Sequence, residues 1–269
     1  GTYSVTAGGA ITNSGALAIA SAAATFAATS SYDITLNDAS NNFATVIITS
    51  GNNVTLVDAG AIALGASTVS GTYSVTAPGA VTQSGALAIT GATTISASGY
   101  NVTLNEATNN FVGAVGITGA VVSVVDAGAI ILGASTVSGT YAVTATAGGG
   151  ITDSGVLAIT GASTLTVAGG QSIILDQSST FSSTVAFASS GGGAIAAVEI
   201  TDSNALVLGA ITTTGNLTVT AGGAVTQSAA LVIGGTATIA AGSSYDITLN
   251  NASNNFATAI ITSGNNVTL

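Results

Sequence analysis

The chain carries four copies of one sequence, and this repetition constrains its fold more than any other feature. The segment Gly-Thr-Tyr-Ser-Val-Thr-Ala at residues 1–7 returns at 71–77, and close variants return at 139–145 and 215–221. A sequence that recurs at a near-constant interval indicates one structural unit stacked on copies of itself. We therefore divide the chain into repeats 1–70, 71–138, 139–214 and a partial repeat 215–269. We expect one continuous array that is an internal fragment of a longer repeat protein.

Several classes of protein are excluded by the residue types that the chain lacks. It has no Lys, Arg, His or Cys, and its ten acidic residues give a formal net charge of −10. Without basic side chains it cannot neutralise the phosphates of nucleic acid or the headgroups of anionic lipids. The uncharged apolar stretch 111–125 is shorter than the roughly 20 residues that a membrane-spanning helix needs. We expect no nucleic-acid partner and no insertion into a membrane.

The local pattern of each repeat predicts short β-strands. Apolar residues alternate with Thr, Ser or Asn, as in 32–36 and 236–240, and clusters of Gly and Asn separate these runs. One interpretation is a string of small sandwiches, one per repeat, but domains of about 70 residues are only marginally stable and no linker is visible between the copies. We favour an all-β fold, a right-handed parallel β-helix (β-solenoid), with about three rungs in each repeat of about 70 residues. A rung is one complete turn of the solenoid.

Certain residues recur at fixed positions of the repeat and are expected to be structural. The aromatic position is occupied by Phe43, Phe111, Phe181 and Phe256. A buried core role is the more common one for Phe, although an exposed aromatic ring could stack on a sugar. Asparagines recur at two loops and are expected to shape the backbone there and to form amide ladders between rungs. They are Asn42, Asn110 and Asn255, each the second of an Asn-Asn pair, and Asn53 and Asn266.

The acidic residues also occupy repeat positions, and at several of these an amide residue replaces the acid. Asp153, for example, stands where the other repeats have Asn13, Gln83 and Gln227. An amide cannot act as an acid, a base or a nucleophile, so this exchange indicates a hydrogen-bond acceptor role. Acids at equivalent positions should lie three rungs, or about 14 Å, apart. We predict no catalytic residue, no metal site and no cofactor.

Two further functions can be weighed from side-chain pattern. A polysaccharide hydrolase would need two carboxyl groups from different repeat positions within about 5 to 10 Å of each other in one groove. A flat array of threonines, of the kind that orders water or binds ice, would need Thr-x-Thr pairs at one position of successive rungs. The pairs at 164–166, 218–220 and 236–238 do not meet that condition, so we expect no such array.

Three phrases of the sequence resemble the long repeat tracts of giant bacterial surface proteins of the filamentous-haemagglutinin type. They are Leu-Gly-Ala-Ser-Thr-Val-Ser-Gly at 64–71 and 132–139, Ala-Val-Thr-Gln-Ser-Gly-Ala-Leu at 80–87, and Asn-Asn-Phe at 41–43. The resemblance implies a β-helical shaft exported to the cell exterior through an outer-membrane transporter, and it carries no catalytic residue across. The complete lack of Lys and Arg departs from that family.

These observations lead to two main hypotheses of function. The first is a non-catalytic segment that gives length and stiffness to an extracellular bacterial adhesin or surface fibre. The second is a protomer that stacks end to end into an extracellular filament or sheath, because exposed strand edges template further strands. Expected partners are neighbouring copies of the same repeat or chain, and possible further ones are glycans or host and cell surfaces. The expected location is extracellular or at the cell surface.

Overall fold

A computed structural model describes residues 2–269, and all regular structure in this range is β-strand. The chain forms two compact units, the first ending at Ile131 and the second running from Leu132 to Leu269. No helix that could cross a membrane occurs in the described residues.

The first unit contains sixteen complete strands. They are β1 (Tyr3–Ala7), β2 (Ile11–Thr12), β3 (Ala18–Ala28), β4 (Ile34–Leu36), β5 (Asn42–Ser50), β6 (Val54–Val57), β7 (Ile62–Leu64), β8 (Ser67–Val69), β9 (Tyr73–Thr76), β10 (Val81–Gln83), β11 (Leu87–Ile89), β12 (Thr93–Ser96), β13 (Val102–Leu104), β14 (Asn110–Phe111), β15 (Val115–Gly119) and β16 (Val122–Asp126). Strand β17 follows at Ile130–Leu132.

The second unit contains another sixteen. They are β18 (Ser135–Val137), β19 (Tyr141–Ala145), β20 (Ile151–Asp153), β21 (Leu157–Ile159), β22 (Ser163–Ala168), β23 (Ile173–Phe181), β24 (Thr184–Ser190), β25 (Val198–Asp202), β26 (Leu206–Leu208), β27 (Ile211–Thr213), β28 (Leu217–Ala221), β29 (Val225–Gln227), β30 (Leu231–Ala241), β31 (Ile247–Thr248), β32 (Asn255–Ser263) and β33 (Val267–Thr268).

Strands of successive rungs pair in parallel, which confirms the predicted β-solenoid. The chain makes about 13 rungs of roughly 21 residues. The first unit has a first sheet (β1-β3-β5-β7-β10-β13-β16), a second sheet (β2-β4-β6-β9-β12-β15) and a short third sheet (β8-β11-β14). The second unit has a first sheet (β19-β22-β24-β26-β29-β31-β33), a second sheet (β20-β23-β25-β28-β30-β32) and the shorter pairings β18-β21-β23 and β27-β30. The right-handed coiling stays a prediction.

The alternating pattern of the sequence determines which side chains enter the core. In β4, Ile34 and Leu36 are buried and Thr35 between them points outward. The next rung places Val54 and Leu56 directly over the two buried residues. Burying an aliphatic side chain contributes roughly 1.5–3 kcal/mol, and parallel stacking repeats this contribution in every rung. Columns of Val, Ile and Leu therefore form the narrow core of each unit.

One repeat is longer than three rungs by one strand, so the next repeat begins on a different face of the solenoid. In the first unit, register pairs lead from Ile34 through Val54 and Tyr73 to Thr93, three rungs later in the second sheet. Val102, which is the equivalent of Ile34 in the next repeat, lies one strand beyond Thr93, in the first sheet. The second unit behaves in the same way, because the equivalent strands β19 and β28 lie in different sheets. Equivalent residues of consecutive repeats thus follow a spiral, and the expected column with members about 14 Å apart on one face is not formed.

Candidate functional site

Buried carboxylates join the loop of one rung to the phenylalanine of the rung before it. Asp58 and Asp126 are almost completely buried, and each binds two backbone N–H groups. The donors are Phe43 and Gly60 for Asp58, at 2.6 and 2.9 Å, and Phe111 and Gly128 for Asp126, at 2.7 and 2.6 Å. Burial raises the pKa of Asp126, and the two N–H bonds oppose that rise by stabilising the charged form. The pair of bonds allows a charge to remain inside the fold without a basic side chain beside it.

The second unit repeats this arrangement with weaker bonds. Asp202 is 2% exposed, and one of its carboxylate oxygens accepts N–H bonds from Phe181 at 3.4 Å and Asn204 at 3.3 Å. Burial raises the pKa of Asp202 to about 6, against the opposing effect of its backbone donors. This carboxyl group therefore titrates between neutral and mildly acidic pH.

The recurring phenylalanines lie in the core. Phe43, Phe111 and Phe181 are each 1% exposed, and Phe256 is half-buried in the last rung of the sequence. Phe43 also packs edge-on against Phe26 of the preceding rung, with ring centroids 6.2 Å apart. A buried ring cannot stack on a sugar, so these positions are sites of packing.

The two asparagines of each recurring pair have different environments. Asn42, Asn110 and Asn255, the ones singled out from the sequence, are exposed and form the first residues of β5, β14 and β32. The preceding asparagine makes the contacts. Asn109, which is fully buried, accepts the N–H of Leu87 at 2.9 Å and donates to the carbonyl of Val125 at 3.0 Å. The sequence pattern identified the loop. Inward and outward residues alternate along a strand, and the Phe that follows each pair points inward. That alternation would have identified the first asparagine of the pair as the buried one.

Asn109 also exchanges two hydrogen bonds with an amide of the preceding rung. The Gln83 side chain donates to Asn109 at 2.8 Å and accepts from it at 3.0 Å. Asn254 and Gln227 form the same reciprocal pair, with both distances 2.8 Å. Such pairs satisfy the amides of both side chains, and we call these contacts between rungs the internal ladder.

A second polar ladder runs along an exposed corner. Asp33 accepts hydrogen bonds from the backbone and side chain of Asn53, at 3.0 and 3.1 Å, and from the side chain of Asn52 at 2.9 Å. The Asn53 oxygen then accepts from the backbone and hydroxyl of Thr72 in the following rung, both at 3.0 Å. The backbone N–H of Asn53 is the main cause that lowers the pKa of Asp33.

The last two rungs carry the same corner contact. Asp246 accepts from the backbone and side chain of Asn266, both at 3.0 Å, and the N–H of Asn266 lowers its pKa. Asn53 and Asn266 therefore make equivalent hydrogen bonds to an aspartate of the preceding rung.

The third repeat departs from the other three at this internal ladder. Ser179 occupies the position of the buried asparagine and accepts the N–H of Leu157 at 3.0 Å. Asp153 replaces the glutamine, and one of its oxygens accepts the N–H of Asp176 at 3.0 Å. Burial, helped by the charge of Asp176, raises the pKa of Asp153 to about 6. Two carboxyl groups are thus neighbours here, a proximity that the spacing of equivalent positions did not predict.

The acidic groups do not converge on a metal-binding arrangement within residues 2–269. No group of three or more His, Cys, Asp or Glu residues there could hold a metal ion. The carboxylates instead face backbone N–H groups, which donate hydrogen bonds and do not bind cations. Chemically, these residues link one rung to the next through hydrogen bonds.

The fold and its ladders define a class, the repeat β-solenoids. The family described as "Repeats of unknown function (DUF5649)" matches residues 1–50, 51–118, 118–188 and 195–263, so the chain belongs to that family. Comparisons with curated proteins and with solved structures gave no match. The family match and the fold show a repeat β-solenoid, and this is the only part of the resemblance to bacterial surface proteins that they support.

Proposed function

We propose that the chain is a non-catalytic structural segment of an extracellular bacterial adhesin or surface fibre. In this role the solenoid supplies a long, stiff shaft that holds other parts of a larger protein away from the cell. The observation that carries the proposal is the use of the polar side chains. The recurring buried acids and amides bind backbone or amide groups of a neighbouring rung, so they stabilise the stack and are not presented to a substrate.

The location is tested with an antibody raised against this segment and applied to intact cells of the source bacterium. We expect immunogold label on the outer surface, and we expect brief external protease treatment to remove it. Label that appears only after the cells are permeabilised would contradict an extracellular role. An antibody against a cytoplasmic protein, applied in parallel, controls for leaky cells.

The same antibody separates a shaft from a self-assembling protomer. An immunoblot of the native protein should detect one polypeptide much longer than 269 residues. A short polypeptide recovered in fibres of many copies would contradict the shaft and favour the filament or sheath. Proposed partners in the shaft role are adjoining repeats of the same polypeptide.

We propose further that the chain is not an enzyme, and Asp153 with Asp176 is the pair on which this is tested. A hydrolase would use the raised pKa of Asp153 for proton donation to a glycosidic oxygen. We expect no release of reducing ends from a panel of neutral and acidic polysaccharides above that of the double variant Asp153→Asn with Asp176→Asn. Release by the natural chain that the double variant lacks would identify a glycosidase.

The variant Asp153→Asn is also expected to fold at least as stably as the natural chain at pH 7. Burial of the Asp153 carboxylate is unfavourable when the group is charged, and the equivalent residues Asn13, Gln83 and Gln227 are already amides. Because Asp153 is only partly buried, the expected gain is small, about 1 kcal/mol or less. Urea denaturation of both chains measures it.

A further inference from the structure

The second sheet of the first unit presents two neighbouring rows of hydroxyl side chains. In the first row, successive rungs place five hydroxyl residues in register before the row ends at Gly116: Thr12, Thr35, Thr55, Ser74 and Thr94. In the second row, two residues further along each strand, the register is Val57, Thr76, Ser96 and Thr118. Eight of these nine residues carry a hydroxyl group. We call the two rows together the hydroxyl rows.

The hydroxyl rows were not expected from the spacing of Thr-x-Thr pairs in the sequence. Adjacent rungs bring together residues from different positions of the repeat, because one repeat occupies three rungs and one further face. Thr55 and Ser74, for instance, are neighbours across rungs although they belong to unrelated parts of two repeats. The array becomes visible only when residues are aligned by rung.

The hydroxyl rows are available to a ligand and carry no charge. Every member is exposed or half-buried, and none of the eight hydroxyls forms a hydrogen bond with another described protein atom. No carboxylate lies on the strands that supply the rows, β2, β4, β6, β9, β12 and β15. The nearest acids along the chain are Asp33, at the corner before β4, and Asp58, directly after β6. Asp33 is bound to Asn52 and Asn53, and Asp58 is buried. In a chain of net charge −10, this face matches a neutral partner.

The first sheet of the same unit provides a comparison. Its outward row is interrupted by an alanine, because Thr45 pairs with Ala63 and Ala63 pairs with Thr82. Its strand β10 has three residues and offers one outward position, Thr82. Two adjacent hydroxyl rows therefore distinguish the second sheet.

The spacing of the hydroxyl rows is regular in two directions. Neighbours within a row are separated by the strand spacing, about 4.8 Å, and the two rows by about 6.7 Å along the strand. β-Branched threonine has few side-chain rotamers, so its hydroxyl and methyl groups are held in place before any ligand arrives. A rigid, neutral lattice of hydroxyl and methyl groups suits a ligand that is itself a neutral, periodic network of hydrogen bonds.

We propose that the hydroxyl rows bind crystalline water, so that this solenoid adheres to ice or slows its growth. The aligned side chains would hold a first layer of water at repeats close to those of oxygen atoms on a face of ice. The absence of charge on the face allows that layer to join the crystal without strongly oriented hydration shells. This function goes beyond the structural role and does not depend on the segment being extracellular.

The proposal is tested with the 269-residue chain in an ice recrystallisation assay and by direct observation of crystal shape. Thr55→Tyr and Thr94→Tyr each place a bulky ring on the hydroxyl rows. We expect either variant to require at least about tenfold more protein for the same inhibition, a loss equivalent to about 1.4 kcal/mol of binding free energy. Thr82→Tyr, an outward substitution on the first sheet, is the matched control and should retain the natural activity.

Circular dichroism and a melting curve establish that all three variants are folded, which outward positions favour. An inactive natural chain at millimolar concentration overturns the proposal. Equal losses in Thr94→Tyr and Thr82→Tyr overturn it as well, because the activity would then not reside in the hydroxyl rows. Binding to an insoluble neutral polysaccharide without any effect on ice would also overturn it and assign the face to glycans.

Discussion

At the scale of single residues, the protein keeps carboxylates inside a fold that has no basic side chain to pair with them. A buried charge is strongly unfavourable unless hydrogen bonds compensate it. Asp58 is compensated by two backbone N–H groups, one from Phe43 in the preceding rung and one from Gly60 in its own loop. Hydrogen bonds to an ionised acceptor are about twice as strong as neutral ones. The same bonds satisfy N–H groups that would otherwise be buried without partners.

Removing one of these carboxylates should therefore destabilise the fold. We expect Asp58→Ala to lower the free energy of unfolding by about 2–4 kcal/mol, because the N–H groups of Phe43 and Gly60 both lose their acceptor. Glu106→Ala removes the same charge from an exposed position and should change the stability by less than about 0.5 kcal/mol. Urea denaturation followed by circular dichroism compares the two. Equal effects would show that net charge, and not the buried hydrogen bonds, determines the change.

The chemistry of the acids that exchange with amides could be predicted from the sequence, but their partners could not. At the position of Asp153 the exchange correctly indicated an acceptor of hydrogen bonds, whereas no amide replaces Asp58 and its role was not predicted. The bond from Phe43 to Asp58 spans 15 residues, however, whereas the corresponding bond from Phe181 to Asp202 spans 21. The separation depends on how many residues each rung contains, and no single interval in the sequence reveals it. The neighbouring acids Asp153 and Asp176 were missed for the same reason.

At the scale of rungs and corners, glycines set how closely successive loops approach. In the first unit Gly71, Gly91 and Gly113 stand over one another at one corner. A Cβ atom on Gly91 would lie 2.5 Å from the carbonyl carbon and oxygen of Gly71, and one on Gly113 would lie 2.4 Å from those of Gly91. Backbone atoms cannot move aside as a flexible side chain can. Corner glycines are therefore required by the close stacking of loops.

A methyl group at this corner should be poorly tolerated. We expect Gly91→Ala to destabilise the fold by about 1–3 kcal/mol, the usual effect of overpacking, because the loops on either side would have to separate. Gly15→Ala is the matched control, since a Cβ atom on Gly15 would have no neighbour within 4 Å, and it should be neutral or stabilising by up to about 1 kcal/mol. Thermal melting of both variants measures the difference. A neutral Gly91→Ala would mean that the loops are more loosely stacked than this geometry requires.

Strand positions were largely predictable at this scale, while their assignment to faces was not. Alternation of apolar and polar residues correctly indicated strands, as in β4 and β30. Rungs differ in length, from the 18 residues between Val46 and Leu64 to the 25 between Ile173 and Val198. A repeat of about 70 residues therefore need not close after a whole number of rungs. That mismatch moved equivalent residues to different sheets and created the hydroxyl rows.

At the scale of the whole molecule, stability comes from apolar columns and backbone ladders, and the ionisable groups that carry charge at neutral pH are all acidic. The net charge of −10 has no internal counter-charge. Three carboxyl groups, Asp126, Asp153 and Asp202, have a raised pKa because of burial, so the folded state binds protons more tightly than the unfolded state. Two exposed ones, Asp33 and Asp246, have a lowered pKa because they accept N–H bonds in the folded state.

These opposite shifts predict a stability maximum in mild acid. As the pH falls from 7 through about 6 towards the ordinary aspartate value of 3.8, Asp153 and Asp202 are protonated in the folded chain first, and the melting temperature should rise. Below that value Asp33 and Asp246 resist protonation only in the folded state, so their contribution is lost and the melting temperature should fall. Melting curves from pH 8 to pH 3 at constant physiological ionic strength, which screens charges beyond about 8 Å, measure both limbs.

The double variant Asp153→Asn with Asp202→Asn should reduce the rise between pH 7 and about pH 4.5 while leaving the fall below it. A melting temperature that decreased steadily from pH 7 downwards would show that the buried carboxylates are stabilised by their N–H donors more strongly than burial opposes them.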